Sequence, residues 1–200
     1  MPELVLASTS PWRAQILEDA GIRFRTRSPG VDETVFVDAD PATRAVAIAT
    51  AKAEAVDRTE PVDPADRRWV LAADQVVHDP STGDIFGKPA DADAHLRRLL
   101  SMRGRAHALV TGYAIGPGGD AGFTTGHVTT RIHVRSDLTE AEIRAYVATK
   151  EGAGCAGGYA AEGRGGFLVE RIEGDWNNVI GLPLYAVWSV LRANGWRFDG

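Results

Sequence analysis

Cysteine is almost absent from the 200-residue chain, which contains only Cys155. A single cysteine excludes an internal disulfide framework and a cysteine-rich metal site. The five histidines show none of the helical spacings that bind a metal, so we interpret them as surface residues or satisfied core residues. Cys155 itself is interpreted as a small buried side chain.

Long apolar runs and an excess of basic residues are also missing. No run approaches the roughly 18 apolar residues that span a bilayer, and the first residues lack the basic start and cleavage site of a signal peptide. The net charge of −5, from 22 basic and 27 acidic residues, argues against a general nucleic-acid-binding protein. We therefore expect a globular cytoplasmic protein that binds neither nucleic acid nor a membrane.

Lysine is scarce as well, since the only lysines among the basic residues are Lys52, Lys88 and Lys150. A lysine that persists against this bias can mark a site needing a compact, mobile positive charge. Lys88 stands between Gly87 and Pro89, a context that solubility alone does not explain. Lys52 lies in a predicted helix and can equally be an ordinary surface lysine.

What the sequence does contain is an alternation of strand and helix patterns, with one long hairpin pattern around a Gly-Pro-Gly-Gly turn. The length fits one domain, or one domain with two lobes. We predict an α/β fold with a mixed sheet. The predicted strands cover 3–7, 69–77, 106–115, 124–134 and 167–172. The predicted helices cover 11–21, 41–56, a segment capped by Asp91, 139–149 and 183–195. The predicted loop and surface connection are 34–40 and 60–68.

The turn from the first predicted strand to the first predicted helix, Ser8-Thr9-Ser10-Pro11-Trp12-Arg13, is a candidate anion site. A helix N-terminus presents free N–H groups and a partial positive charge. The hydroxyls of Ser8 and Ser10 and the guanidinium of Arg13 would add donors for phosphate oxygens. An ordinary serine cap with proline at the first helical position, and with Trp12 packed against the protein, explains the same residues equally well.

Asp74 interrupts the apolar run 69–77 and is a second candidate. A carboxylate in an apolar strand must be desolvated, which is costly unless it meets a cation or several donors. It can accept backbone hydrogen bonds near a strand end. It can also act as a metal ligand or general base at the C-terminal end of a central strand, where open α/β sheets place their sites. Glu33, in Val31-Asp32-Glu33, is either a second carboxylate for that site or a solvated loop charge.

These charged groups together match what a triphosphate requires. The cations Arg13, Lys52 and Lys88 would hold the phosphates, and the carboxylates Glu33 and Asp74 would bind a divalent metal. The number of suitable residues favours such a site, although their spacing alone does not establish it.

The same segments, in this order, resemble the Maf family of nucleotide pyrophosphatases, also called septum-formation inhibitors. The resemblance covers nearly the whole chain and is more specific than any single motif. The matching stretches are Leu6–Arg13, Val31–Glu33, Ala73–Val76, Gly87–Pro89, Cys155–Tyr159 and Val179–Pro183.

The resemblance implies a two-lobed α/β fold like that of inosine-triphosphatase-type pyrophosphatases. It implies an elongated mixed sheet, a central cleft, and residues 1–200 as a single domain. It implies a nucleoside triphosphate substrate and a divalent cation (Mg, Mn or Co) as cofactor. It is also compatible with a homodimer, which the sequence neither requires nor excludes. Many relatives carry a second arginine after Arg13, where this chain has Ala14, so we expect no phosphate contact there. The implied roles are proton acceptor for Asp74, metal ligand for Glu33 and Asp74, and phosphate binding for Ser8, Ser10, Arg13, Lys52 and Lys88.

Three positions bear on the base that this family resemblance implies. Relatives that prefer dTTP and UTP typically carry Arg, Thr and Gln where this chain has Trp12, Gln75 and Glu162. The chain instead looks like the subfamily acting on 7-methyl-GTP. Methylation at N7 makes guanine cationic, so Trp12 could stack on it favourably. Glu162 could accept hydrogen bonds from the guanine edge and offset its charge.

Rival interpretations remain beside this one. The chain can be a pyrimidine-preferring enzyme of the same class, or a nucleotide-binding regulator of cell division in which partner contacts matter and hydrolysis does not. An oxidoreductase is suggested only by Gly152-x-Gly154-x-x-Gly157. That motif follows a predicted helix and opens no second one, which contradicts the way a dinucleotide fingerprint works.

Overall fold

A computed structural model describes residues 2–37, 40–59 and 68–197. Among these residues, no helix is long and apolar enough to cross a membrane. The strands are β1 (Glu3–Leu6), β2 (Phe24–Thr26), β3 (Arg68–His78), β4 (Ile85–Phe86), β5 (Ala106–Gly116), β6 (Thr124–Val134) and β7 (Val169–Glu173). The helices are α1 (Pro11–Asp19), α2 (Pro41–Thr59), α3 (Ala92–Met102), α4 (Glu140–Ala148), α5 (Trp176–Ile180) and α6 (Leu184–Ala193).

The strands form a mixed sheet, which confirms the predicted α/β fold class. Their order is β2-β1-β3-β5-β6-β7, and β4 pairs with β3. β1 runs parallel to both β2 and β3, whereas β4 is antiparallel to β3 and β7 is antiparallel to β6.

The short elements are the ones that the sequence pattern does not predict. β2, β4 and α5 contain three, two and five residues, too few for a hydrophobic period to be visible. The predicted loop 34–40 was partly wrong, because a 3₁₀ helix covers Glu33–Val35. The strand predicted at 167–172 begins later, at Val169, since a 3₁₀ helix occupies Arg164–Leu168. The connection predicted at 60–68 lies, except for Arg68, outside the described residues.

The chain divides into two compact units. The first contains Met1–Gln75, Thr111–Val128 and Gly181–Gly200, and the second contains Val76–Val110 and Thr129–Ile180. The strands β3, β5 and β6 therefore contribute residues to both. The predicted central cleft stays a prediction.

The first unit has a core of small side chains between its strands and α2. Leu6 of β1 pairs with Thr26 on one side and Leu71 on the other, so the chain leaves β1 and β2 at the same edge of the sheet. α2 buries one face at helical spacing because short side chains let it lie close to the strands. The buried cluster consists of Val5, Ala7, Ala49, Ala53, Val56, Val70, Ala72 and Ala114.

Gly112 of β5 shows how closely α2 approaches the strands of this unit. A Cβ atom at Gly112 would lie 2.3 Å from the carbonyl carbon of Ala45 and 2.4 Å from the amide nitrogen of Val46. Only a residue without a side chain allows two backbones to come this near. This contact sets the height of α2 above the sheet, and with it the position of every side chain on its inner face.

The second unit has a larger apolar core between α3, α4 and its strands. Two buried histidines belong to it, and each has a hydrogen-bond partner, although the buried Nδ1 of His107 has none among the described residues. His95 pairs with the carbonyl oxygen of Gly158, and Nε2 of His107 lies 2.7 Å from the Tyr159 hydroxyl. Burial lowers the pKa of His107 to about 4, so its ring is neutral at physiological pH.

Replacing Gly112 with alanine is expected to destabilise the protein by about 1–3 kcal/mol, because the new methyl group must displace the backbone of α2. Equilibrium unfolding in urea measures this change. Gly154→Ala is the matched control, since nothing lies within 4 Å of a Cβ at that position, and it should change stability by less than about 0.5 kcal/mol. Equal stability of the two variants would contradict the role of Gly112.

Candidate active site

The turn between β1 and α1 brings the end of a strand directly to the start of a helix. The hydroxyl of Ser10 caps α1 by accepting the N–H of Arg13 at 3.5 Å, and Pro11 occupies the first helical position, where no N–H is needed. Ser8 Oγ accepts the N–H of Ser10 at 3.1 Å. The serine cap predicted as the plain alternative is therefore present. It does not exclude an anion site, because Pro11 has no N–H and the cap takes that of Arg13, which leaves the Trp12 N–H without a partner inside the helix.

The guanidinium group of Arg13 hydrogen-bonds to two residues of the first unit that lie far apart in the sequence. Its Nη1 donates to Ser8 Oγ at 3.3 Å, and its Nε donates to the carbonyl oxygen of Gly181 at 2.8 Å. Ser8 is buried, and its oxygen already accepts two hydrogen bonds, so its own O–H is the group left to donate. Ser8 and Arg13 thus present donors of fixed direction at the N-terminus of α1.

Lys52 lies on the buried face of α2 and is only 6% exposed. It follows Ile48 by four residues and Ala45 by seven, which places all three on one side of the helix. The alternative that Lys52 is an ordinary surface lysine is therefore wrong. An ammonium group so deeply buried requires anionic partners.

Two carboxylates supply those partners. Lys52 Nζ lies 2.7 Å from Oδ1 of Asp74 and 2.6 Å from Oε1 of Glu33. Asp74 is 8% exposed, whereas the side chain of Glu33 is 53% exposed and reaches inward from the 3₁₀ helix after Asp32. The structure therefore brings together Lys52, Asp74 and Glu33 as predicted.

The sequence predicted Asp74 at the C-terminal end of its strand, and this prediction is wrong. β3 continues to His78, because its last residues pair with β4. Asp74 instead follows Leu71, the last partner of β1, by three residues, so it stands just beyond the point where β1 ends. Asp74 therefore lies beside the end of β1 and not at the end of its own strand.

The surroundings of Asp74 raise its pKa. Burial is the main cause and the negative charge of Glu33 adds to it, while the charges of Lys52 and Arg13 and the hydrogen bond from Lys52 oppose it. Burial likewise lowers the pKa of the Arg13 guanidinium, against the charges of Asp74 and Glu33. Asp74 is thus a carboxylate that accepts a proton more readily than a solvated one.

Trp12 and Gln75 also belong to the first unit. Trp12 is 50% exposed, so the alternative that it is packed against the protein accounts for only half of its surface. The Gln75 side chain donates from Nε2 to the hydroxyl of buried Thr111 at 3.0 Å, and this bond orients its amide. The indole of Trp12 is available to a planar ligand.

Lys88 and Glu162 lie in the second unit, and both are exposed. The charges of both residues influence the pKa of the Cys155 thiol. Burial raises this pKa, the charge of Glu162 raises it further, and the charge of Lys88 opposes both. Lys88 and Glu162 therefore share one neighbourhood of that unit. Cys155 is half-buried, with a thiol that burial keeps protonated and unreactive.

Whether the site can hold a divalent metal depends on its carboxylates. Among the described residues, no group of three or more His, Cys, Asp or Glu side chains is arranged to hold an ion. Glu33 and Asp74 each contact the Lys52 ammonium group through one oxygen, which leaves each carboxylate a second oxygen. Mg²⁺ is commonly held by one or two carboxylates together with waters and substrate phosphates. The residues present fit a metal that arrives with a polyphosphate.

Gly181 and Thr111 are site residues that sequence reasoning did not single out. Gly181 has φ +121°, a conformation that side chains other than hydrogen rarely adopt, and its carbonyl oxygen anchors Arg13. Its only signal was its place in the Val179–Pro183 stretch. Thr111 gave no signal, because a threonine in a strand is ordinary.

Hydrogen-bond donors at a helix N-terminus, together with a buried lysine shared by two carboxylates in a mixed α/β protein, are typical of a site that binds a phosphate-bearing substrate. Comparison with known proteins agrees with this class. The chain belongs to the Maf family, because the family model described as Maf-like protein matches residues 3–194.

Relatives cover almost the whole chain. A nucleoside triphosphate pyrophosphatase of Synechococcus sp. (strain JA-2-3B'a(2-13)) is 41% identical over 198 residues, which is 98% of this chain and 96% of the relative. A dTTP/UTP pyrophosphatase of Geotalea uraniireducens (strain Rf4) is 38% identical over 96% of this chain and 95% of its own. The solved Staphylococcus aureus Ham1 protein aligns with a TM-score of 0.44 at 16% identity, over 67% of this chain and 72% of its own. The sequence relatives confirm the predicted enzyme class, hydrolases that act on acid anhydrides.

Replacing Lys52 with methionine is expected to raise the pKa of Asp74 further, since the charge that lowers it is lost while burial remains. Carbon-detected NMR titration of the Asp74 carboxyl group measures the change. Arg58→Met removes an exposed cation from the same helix and serves as the control, which should leave Asp74 unaffected. An Asp74 pKa that stays constant or falls in Lys52→Met would refute this account of the pair.

Proposed function

We propose that the protein hydrolyses nucleoside triphosphates to nucleoside monophosphates and pyrophosphate, with 7-methyl-GTP as its preferred substrate. The observation that carries the proposal is the position of Lys52 Nζ between the carboxylates of Asp74 and Glu33, 2.7 and 2.6 Å away. A buried lysine held in this way, next to the donors of the α1 N-terminus, suits a substrate with several phosphate groups.

The phosphates bind through donors whose directions are already set. Ser8, Ser10 and the N–H groups of α1 face the substrate, and Arg13 is held in place by Gly181. Lys52 contributes a positive charge, and Lys88 of the second unit contributes another. Because the serines and Arg13 are ordered before the substrate arrives, they stabilise charge in the transition state without further reorganisation.

Asp74 is the proton acceptor in this proposal. A water oxygen attacks the α-phosphorus, the bond from this phosphorus to the oxygen bridging the β-phosphate breaks, and pyrophosphate leaves with the electron pair. The attacking water gives its proton to Asp74. The raised pKa of Asp74 suits a general base, and it also means that turnover falls as the pH decreases through that pKa.

A divalent cation is part of the proposal because the charges that the first unit contributes to the site cancel. Arg13 and Lys52 carry two positive charges, and Glu33 and Asp74 carry two negative ones. Glu33 and Asp74 would hold the ion together with the phosphates. Such a cation neutralises the charge of the polyphosphate and of the leaving group when bound.

The preference for 7-methyl-GTP rests on Trp12, Gln75 and Glu162. Half of the Trp12 surface is exposed, so its ring can stack on the cationic base of 7-methyl-GTP. Glu162 is exposed and anionic, and would accept hydrogen bonds from the base edge. Gln75, oriented by Thr111, would read a further polar group of the nucleotide.

A pyrimidine triphosphate is the second candidate substrate. The relative from Geotalea uraniireducens is named a dTTP/UTP pyrophosphatase and is 38% identical to this chain. Its name fits the described groups for phosphate and catalysis about as well. Only the base separates the two candidates, so a direct comparison of nucleotides decides between them.

Asp74→Asn is expected to fold and to bind nucleotide, and to lose about 10²- to 10⁴-fold in kcat, the usual contribution of a general base. Pyrophosphate release measures turnover, and calorimetric titration measures nucleotide binding. Asp93→Asn, which changes an exposed carboxylate of α3, is the control and should retain turnover. A turnover of Asp74→Asn close to that of the unchanged enzyme would remove the proposed base.

The triple variant Trp12→Arg, Gln75→Thr, Glu162→Gln is expected to shift the ratio of 7-methyl-GTP to dTTP efficiency by on the order of 100-fold toward dTTP, because a cation–π contact and a charged hydrogen bond are both lost. Pyrophosphate release is measured with 7-methyl-GTP, GTP, dTTP and UTP, each with Mg²⁺, Mn²⁺ and Co²⁺. The double variant Trp176→Arg, Glu140→Gln alters an exposed tryptophan and glutamate elsewhere and should keep the original ratio. An unchanged ratio in the triple variant would exclude base selection by these residues.

A further inference from the structure

The turn that carries Glu162 is held on one side by Glu151. The turn closes where the N–H of Gly163 donates to the carbonyl oxygen of Ala160 at 3.2 Å. Immediately after it, the N–H groups of Arg164 and Gly165 donate to Oε1 and Oε2 of Glu151 at 3.1 and 3.0 Å. Both oxygens of one carboxylate therefore hold the backbone that follows Glu162.

Tyr146 holds the other side of the same turn. Its buried hydroxyl accepts the N–H of Ala160 at 3.0 Å, and it also hydrogen-bonds to the Glu151 carboxylate. Burial acts to raise the pKa of Glu151, but the hydrogen bonds from the two N–H groups and from Tyr146 outweigh it and lower that pKa. Glu151 is thus ionised at neutral pH, and it links both ends of the turn.

Two glycines allow this close contact. A Cβ atom at Gly163 would lie 2.6 Å from Oε1 of Glu151, and one at Gly165 would lie 2.9 Å from the Tyr146 hydroxyl. Side chains at these positions would push the turn away from its two supports. Gly163 is therefore explained by the approach of Glu151, and Gly165 by the approach of the Ala160 carbonyl oxygen, 2.5 Å from such a Cβ, and of Tyr146.

The backbone before Glu151 also sets the direction of its side chain. Lys150 has φ 61°, and it is the only residue other than glycine with a positive φ among the described residues. Such a left-handed residue is held by its surroundings. It ends the path of α4 and turns the chain so that the N–H of Glu151 donates to Thr149 Oγ1 at 3.2 Å.

We infer that Glu151 is a positioning residue for base selection, which holds the turn 160–163 so that Glu162 presents its carboxylate to a cationic purine. This inference rests on the proposed function, in which Glu162 contacts the base. Glu151 acts through the N–H groups of Arg164 and Gly165 and makes no contact with the nucleotide.

The test is a double-mutant cycle of Glu151→Gln and Glu162→Gln. A glutamine at 151 accepts only one of the two N–H groups and turns its own amide toward the other. We expect the KM for 7-methyl-GTP to rise about 10-fold while kcat stays within about 2-fold, and the selectivity over GTP to fall about 10-fold. The double variant should match Glu162→Gln in selectivity within about 2-fold, because Glu151 acts only through Glu162.

Two further variants complete the design. Glu140→Gln removes an exposed carboxylate of α4 that pairs with Arg144, and it should leave KM, kcat and selectivity unchanged. If Glu151→Gln fails to fold, Gly163→Ala disturbs the same contact from the turn, at φ −113°, outside the left-handed region, and should lower selectivity in the same way. Circular dichroism and thermal unfolding confirm that each variant is folded.

The outcomes separate this inference from the proposed function. If Glu162→Gln itself leaves the selectivity for 7-methyl-GTP over GTP unchanged, base reading by Glu162 is wrong, and the role of Glu151 falls with it. If Glu162→Gln lowers selectivity and the folded Glu151→Gln does not, only the inference on Glu151 is overturned. Additive losses in the double variant, or a loss of kcat equal for both nucleotides, would likewise overturn it.

Discussion

The buried ammonium group of Lys52, shared between Asp74 and Glu33, is the interaction on which the rest of the site depends. Removing Lys52 leaves the buried carboxylate of Asp74 without the cation that it contacts, which costs far more than a surface ion pair contributes. The position of the Lys52 ammonium group depends on packing. Lys52 is part of α2, and the backbone contact at Gly112 sets the distance between α2 and the sheet. The ordinary tight packing of small residues thus fixes the position of a charge.

The functional groups are distributed over both units of the chain. The first unit carries Ser8, Ser10, Arg13, Lys52 and Asp74, the groups proposed for phosphate binding and proton transfer, and also Trp12. The second carries Lys88 and Glu162, and it supports Glu162 through hydrogen bonds to main-chain N–H groups. Chemistry and part of the base recognition therefore depend on separate sets of supporting contacts, so substitutions can alter the choice of base without touching the groups that cleave the phosphate chain.

Long elements could be predicted from the sequence because each carries its own local signal. The capping box of Thr139 and Glu142 at α4, and Ser10 with Pro11 at α1, lie where the pattern placed them. Burial of Lys52 could not be predicted, since an alanine-rich helix such as α2 has no strong contrast between its faces. The contact of Arg13 with Gly181 was equally invisible, because it joins residues 168 positions apart and no local period reports it. Charged residues and the family resemblance predict the members of the candidate site. The contacts that hold them in place are tertiary and leave no local signal in the sequence.

The anchoring of Arg13 by Gly181 has a consequence for how the protein comes into being. The first unit is built from three separate stretches, and its last stretch begins at Gly181. During synthesis the N-terminal residues emerge first and begin to fold before the end of the chain exists. Ser8 and Arg13 are then already outside the ribosome, but the carbonyl group that orients the guanidinium is not. A nascent chain therefore cannot fix Arg13 in this orientation until Gly181 has been translated and has left the ribosome.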